Sequence, residues 1–200
     1  GFGAGIIWVV DGTQFDSFVD NNGKAETMNY MMLLDGMTQM PLYFRLLEKG
    51  EKKADVAEIF WAAVKIHGKP KFGIVADNGS AFKSSEIKML VKSWYTSAEL
   101  DEMRANTLIR TIFDIGRGSG QEGPIWYPGA RKPQYPFKAM LERKFRELNR
   151  HQSERLAASF IATRDSEKVS LEYGSTPEKA VKLRPRAEDA FNDFVAWVYT

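Results

Sequence analysis

Cysteine is absent from the 200 residues, which excludes disulfides and thiolate metal sites. Histidine is scarce, with only His67 and His151 present. Any metal held by this chain is therefore expected to be a hard cation on oxygen ligands rather than zinc on imidazoles. Long apolar runs are missing. The longest, Gly5 to Val10, falls well short of the roughly 20 residues that cross a bilayer. No signal peptide precedes it, so a cytoplasmic setting without a membrane partner is expected. There is no internal repeat and no low-complexity tract. A strong net charge is also lacking, the total being +2 at pH 7.

What is present suits one large domain, or one domain with small appendages: 44% of the residues are hydrophobic, enough for a single core. The charge is unevenly placed. From Pro128 to Arg155 there are eight basic residues (Arg131, Lys132, Lys138, Arg143, Lys144, Arg146, Arg150 and Arg155) against three acidic ones (Glu142, Glu147 and Glu154), a local +5 that leaves −3 for the rest. A basic block on a nearly neutral domain points to one polyanion-binding face. An ordinary solvated helix face accounts for the charge equally well.

Gly5 to Val10 is rich in β-branched residues and reads as a buried strand ending at Asp11. Asp16 to Lys24 reads as a loop with Asn21-Asn22-Gly23 as its turn, and this assigns Asp16 and Asp20 to the loop. Tyr30 to Leu34 and Met40 to Leu47 read as the second and third strands, with Asp35-Gly36 as a hairpin signal between them. Lys52 to His67 places Val56, Ile59, Phe60, Ala63 and Val64 at helical spacing, and Gly68 stops it. Lys71 to Ala76 is a short buried strand ending at Asp77. Ser84 to Trp94 reads as a helix capped by Ser84 or Ser85. The chain turns helical again from Ser97. Both Ile109 to Ile115 and Gly123 to Tyr127 are strand candidates, with a flexible loop at Gly116 to Gly120. Phe137 to Gln152 is a helix with Leu141, Phe145 and Leu148 on one apolar stripe. Ser175-Thr-Pro-Glu178 has the signature of a helix start, and Ala187 to Tyr199 reads as a last amphipathic helix. Three antiparallel strands followed by α/β units make a mixed sheet with helices on both faces.

Two carboxylates, Asp11 and Asp77, fall at the carboxyl ends of buried strands, the edge where open α/β sheets bind ligands. If the first and fourth strands are neighbours, the two charges come close and call for a cation. Glu142 lies opposite the apolar stripe of its helix, and Lys138, Glu142, Arg146 and Asn149 follow at spacings of four, four and three, on one face. Should that face meet the strand ends, three carboxylates surround one pocket. Each also has a plainer reading. Asp11-Gly12-Thr13 and Asp77-Asn78-Gly79 both suit turns, and Glu142 suits pairing with Lys138 and Arg146.

Taken in order, these segments resemble the catalytic core of the DDE transposase and retroviral integrase superfamily. Trp8-Val-Val-Asp11-Gly-Thr13 resembles that family's first-strand motif. Tyr30 to Leu47 resembles its second and third strands. Val75-Ala-Asp77-Asn-Gly79 resembles its second motif. Tyr127-Pro-Gly-Ala-Arg-Lys-Pro133, with Lys138 and Leu141-Glu142-Arg143-Lys-Phe145, resembles its third. The resemblance covers roughly residues 6 to 150. Asp11 and Asp77 lie 66 positions apart, as in phage Mu-type transposases and their bacterial relatives. Asp77 and Glu142 lie 65 apart, unlike the short spacing of retroviral integrases. An insert at about 94–124 is therefore expected.

The resemblance implies a ribonuclease H-like α/β fold, with a mixed five-stranded sheet flanked by helices. Residues 1–155 would form the core, and 156–200 a helical extension or linker to a further domain. The chain begins directly at the first strand, which suggests a piece of a longer protein. The implied activity is metal-dependent nicking of DNA 3′ ends and strand transfer by a polynucleotidyl transferase. Two Mg²⁺ or Mn²⁺ ions about 4 Å apart would clamp the scissile phosphate. Asp11 would bridge both, with Asp77 on one and Glu142 on the other. Arg131, Lys132, Lys138, Arg143, Lys144 and Arg146 would contact DNA phosphates. The implied partners are transposon ends, a target duplex and further copies of the chain on DNA. The implied setting is a bacterial or phage-derived protein at the nucleoid. Two other readings remain open: a ribonuclease H-like nuclease (resolvase or RNase) that uses water only, and a non-catalytic DNA-binding assembly module.

Overall fold

The structure is a computed structural model. It describes residues 5–21, 24–47, 50–77, 79–106, 123–127, 136–155 and 187–199. Five strands form one sheet in the order β3-β2-β1-β4-β5. They are β1 (Trp8–Asn21), β2 (Lys24–Asp35), β3 (Pro41–Leu47), β4 (Ile74–Ala76) and β5 (Ile125–Trp126). The helices are α1 (Lys53–His67), α2 (Ser85–Lys92), α3 (Ser97–Ala105), α4 (Pro136–Arg155) and α5 (Ala187–Val198). Only residues 22 and 23 separate β1 from β2, so these neighbours run antiparallel. β1 and β4 pair in parallel, as do β4 and β5. The mixed α/β sheet expected from the sequence is the one found.

Two strand readings need correction. β1 does not end at Asp11 but continues to Asn21, and β2 begins at Lys24 rather than Tyr30. The stretch assigned to a loop from Asp16 is thus the outer half of a long hairpin. Its polar residues carry no burial signal, but a hairpin ladder is closed by backbone groups and does not require an apolar face. The last strand among the described residues is β5, within the Gly123 to Tyr127 candidate segment. Ile109 to Ile115, Gly116 to Gly120 and Ser175 to Glu178 lie outside the described residues.

The helices sit close to where the sequence puts them. Thr96 Oγ1 accepts from Glu99 N–H and Glu99 Oε2 accepts from Thr96 N–H at 2.8 Å, a reciprocal cap at the start of α3. Ser84 Oγ caps α2 by accepting from Ile87 N–H. Gly68, at φ 74°, ends α1, and its N–H donates to Val64 O.

The contacts divide the chain into two compact units: Gly1–Asp11 with Met31–Arg45 and Glu51–Glu142, and Gly12–Tyr30 with Leu46–Gly50 and Arg143–Thr200. In the first, the run Ile7 to Val10, the run Met31 to Leu34 and the run Ile74 to Ala76 are all buried. Such unbroken burial means that both sheet faces are covered. From α1, Val56, Ile59, Phe60 and Ala63 are buried, and the Trp94 ring meets Trp8 and Phe60 edge-on. At the sheet's edge Gly73 (φ 82°) passes so close to β5 that a Cβ there would stand 2.0 Å from Pro124 O. Only glycine allows the Ile74 N–H bond to that same carbonyl, at 2.8 Å. In the second unit, Tyr30 packs edge-on against Phe145 of α4 and Phe194 of α5, and its hydroxyl donates to Asn149 Oδ1 at 3.3 Å. Asn149 Nδ2 in turn donates to Gln14 O.

Asp35 closes the turn between β2 and β3. It is 2% exposed, and its carboxylate accepts from Gly5 N–H, Met37 N–H, Thr38 N–H and the Thr38 hydroxyl. Burial pushes its pKa up. The bonds from Gly5, Thr38 and Met37 outweigh that and hold the carboxyl below its ordinary value. A lowered folded pKa stabilises the fold above the ordinary carboxylate range, and this is lost as pH falls through the folded value. Asp35→Ala is expected to cost about 1–3 kcal/mol at neutral pH. In urea titrations across a pH series the gap from the parent should close in strong acid. A gap that stays constant down to strong acid would contradict this account.

Candidate functional site

The β1–β4 register sets the site. Trp8 pairs with Ile74, Val9 with Val75 and Val10 with Ala76. Asp11 and Asp77 are the next residue on each strand, one step past the end of the parallel ladder. β4 stops there while β1 runs on, so the pair stands where the sheet splits. Parallel neighbours lie about 4.8 Å apart, which makes the two carboxylates near neighbours in backbone position. Both residues are half-buried.

Gly79 fixes the Asp77 side chain, its N–H donating to Asp77 Oδ1 at 2.7 Å. The other Asp77 oxygen accepts no hydrogen bond among the described residues. Space beside Gly79 is tight: a Cβ there would stand 2.8 Å from Asp77 Oδ1 and 3.4 Å from Glu51 Oε2. Glu51, just ahead of α1, therefore brings a carboxylate to the Asp77 turn. The sequence reading did not single it out, since nothing local marks a glutamate in a strand-to-helix link.

Glu142 is exposed on α4, away from the buried Phe145 and Leu148, as its spacing implies. Among the described residues, no three acidic or imidazole side chains gather closely enough to hold a metal ion. The β1–β4 register thus puts Asp11 and Asp77 at adjacent backbone positions, with Glu51 near the Asp77 turn, while Glu142 stands exposed on α4. The chemistry of the pair suits a hard divalent cation: both donors are carboxylate oxygens, and a cation between them relieves the repulsion of like charges.

The basic residues are treated unevenly. Arg143 and Arg146 are exposed on α4, and Lys144 pairs with Glu147 one turn on at 3.3 Å. Asn149, placed by its spacing on the same face as Glu142 and Arg146, is instead 5% exposed and bonded to Tyr30 and Gln14. The polar face of α4 thus turns inward at its fourth expected member, because a buried tyrosine hydroxyl there finds an amide partner. Arg131, Lys132 and the side chain of Lys138 lie outside the described residues.

Gly79→Ala is expected to displace the Asp77 carboxylate, because no real Cβ contact is as short as the 2.8 Å it would create. If the pair binds a divalent ion, the substitution should weaken Mn²⁺ binding about 10–100-fold. The melting temperature without metal should fall by only a few degrees. Unchanged Mn²⁺ affinity in calorimetric titration would show that the carboxylate's position there does not matter.

No protein-family model matches this chain, and no curated protein matches it in sequence. Solved structures do. A chain of the simian T-cell lymphotropic virus intasome, solved in complex with the PP2A regulatory subunit B56 gamma, superposes with a TM-score of 0.52 at 15% identity, over 86% of this chain and 48% of that one. This chain therefore spans about half the length of that relative. The catalytic core domain of BIV integrase matches over 98% of this chain and 99% of its own, at 14% identity and a TM-score of 0.45. The HTLV-2 integrase catalytic core in complex with magnesium matches over 57% of this chain and 74% of its own, at 22% identity and a TM-score of 0.39. Together with the sheet order described above, the first of these likenesses establishes the architecture: the chain has a ribonuclease H-like fold.

Proposed function

We propose that this chain is the catalytic core of a DNA transposase or integrase, a divalent-metal-dependent polynucleotidyl transferase that nicks DNA 3′ ends and joins them to a target. The observation that carries the reading is the register of β1 on β4. It pairs Val10 with Ala76, the residues just before Asp11 and Asp77, in a sheet whose fold is shared with a retroviral intasome chain, and this supports the two aspartates as partners in one site. Asp11, Asp77 and Glu142 would hold Mg²⁺ or Mn²⁺. When bound, two such ions activate a hydroxyl nucleophile and stabilise the leaving oxygen of a phosphodiester.

The chain's own residues supply the rest. Gly79 N–H holds one Asp77 oxygen and so orients the carboxylate. The exposed Arg143 and Arg146 on α4, with Arg131, Lys132, Lys138 and Lys144, would place the DNA backbone through its phosphates. Phosphate contacts fix register without reading sequence. Residues 1–155 would make up the core, and several copies would assemble on DNA. A site built for an oxygen nucleophile accepts water in the nicking step and a DNA 3′-hydroxyl in the joining step. No covalent enzyme intermediate is required.

Asp11→Asn, Asp77→Asn and Glu142→Gln are each expected to reduce nicking and joining to below about 1% of the parent, with the metal-free fold intact. Removing one of two neighbouring like charges relieves repulsion, so the fold without metal is expected to hold. The decisive measurement supplies a pre-cut DNA end bearing a free 3′-hydroxyl, a second duplex, and Mg²⁺ or Mn²⁺, and looks for joined products on a denaturing gel. Cleavage without any joined product identifies a nuclease that uses water only. DNA binding with neither reaction identifies a non-catalytic assembly module. Retained activity in any one substitution removes that residue from the site.

The basic side of α4 makes a separate prediction. Replacing Arg143, Lys144 and Arg146 with alanine is expected to weaken binding by a similar factor on unrelated DNA sequences. It should also flatten the salt dependence by nearly one unit of slope per lost phosphate contact. Anisotropy titrations across a salt series report both quantities. Altered sequence preference with an unchanged slope would contradict the assignment.

A further inference from the structure

Three lysines of the first unit are paired with carboxylates. Lys53 meets Glu86 at 2.8 Å, Lys69 meets Glu99 at 2.8 Å, and Lys71 meets Glu102 at 3.4 Å. Lys83 and Lys88 differ. Both are exposed, and neither meets a carboxylate among the described residues. Instead each Nζ stands 5.9 Å from the centroid of the same aromatic ring, that of Tyr127. Two ammonium groups are thus held around one ring. Among the described residues no carboxylate pairs with either ammonium, and the one acidic residue on α2, Glu86, is taken up by Lys53.

The support beneath them is firm. Tyr127 is buried, and its hydroxyl donates to Phe82 O at 2.8 Å, tying the end of β5 to the segment that carries Lys83. Burial pushes the phenol up to about 12, so the ring remains neutral. Lys88 N–H donates to Ser84 O at 3.1 Å in the first turn of α2. Lys83 N–H donates to Gly79 O at 3.2 Å, and Gly79 is the residue whose own N–H holds Asp77. One short run of backbone bonds therefore connects the lysine pair to the Asp77 carboxylate.

We propose that Lys83 and Lys88, set over Tyr127, form a phosphate clamp that takes the backbone of a DNA strand next to Asp77. None of the basic residues assigned to DNA contact on α4 takes part in it. An ammonium is a compact point charge with three rotatable donors and suits phosphodiester oxygens presented at varied angles. Tyr127 is buried too deeply to stack on a base; it positions the two lysines. The clamp therefore contributes affinity and placement rather than sequence choice. The proposal rests on the DNA-processing function proposed above, and its test is arranged to separate the two.

The double substitution Lys83→Gln and Lys88→Gln is compared with the parent in anisotropy titrations of labelled duplex and single-stranded DNA, without divalent metal, across a potassium chloride series. Losing two phosphate contacts should flatten the plot of log affinity against log salt by about 1.8 for duplex or about 1.4 for a single strand. The loss should be similar on unrelated sequences, and Lys83→Arg with Lys88→Arg should restore the parent slope. Because both side chains are exposed, the melting temperature should hold. If the double variant melts early, Lys83→Gln alone is read for about half the change in slope. A parent that binds DNA and a variant with the same affinity and slope overturn the clamp and leave the proposed function standing. A parent that binds no DNA overturns both.

Discussion

The parallel pairing of β1 with β4 is the constraint on which the rest of the first unit depends. Three backbone pairs, from Trp8 on Ile74 to Val10 on Ala76, join the antiparallel β1-β2-β3 part of the sheet to the α/β part that follows. Both strands are buried on each face, so their register is set by side chains packed above and below as well as by hydrogen bonds. A slip of one residue would turn every one of these side chains to the opposite face. It would also separate Asp11 from Asp77. The same packing that stabilises the centre of the sheet therefore positions the carboxylate pair, and the site requires no dedicated scaffold of its own.

Close backbone approaches extend that arrangement outward. Gly73 lets β5 come near enough for Ile74 N–H to reach Pro124 O. Trp126 then donates its indole N–H to Phe72 O at 2.6 Å, which locks the second edge of the parallel half. Tyr127, the next residue, ties this edge to Phe82 beyond the Asp77 turn. At the other end of the sheet, the buried Asp35 carboxylate gathers the N–H groups of Met37 and Thr38 and reaches back to Gly5 at the start of the chain. In both places a polar group is buried at little net cost because its hydrogen bonds are completed within the fold.

The second unit is organised on a different principle. Tyr30, Phe145 and Phe194 meet edge-on, and the one polar group among them, the tyrosine hydroxyl, is satisfied by Asn149. This gives α5 a place in a core, packed against Tyr30 in the middle of β2. A helix carrying Phe191, Phe194 and Trp197 needs such a surface to cover its apolar side.

The sequence by itself determined the elements whose signals are local. Helix α1 follows from the spacing of Val56, Ile59, Phe60 and Ala63 and from Gly68 at its end. The buried strands follow from the β-branched runs before Asp11 and Asp77. The order of these motifs pointed to the fold. Local signals could not decide the length of β1, because a ladder of backbone bonds carries polar residues such as Gln14 without any pattern of burial. Nor could they fix the bounds of β5, since a strand of two residues is defined by its neighbour's register. Spacing assigned Asn149 to the polar face of its helix with Glu142 and Arg146, and only the packed Tyr30 hydroxyl explains its burial. Glu51 beside Asp77, and Lys83 with Lys88 over one ring, are juxtapositions of residues distant in the chain. Tertiary structure alone decided them, because they depend on which strands lie side by side and not on what any one segment prefers.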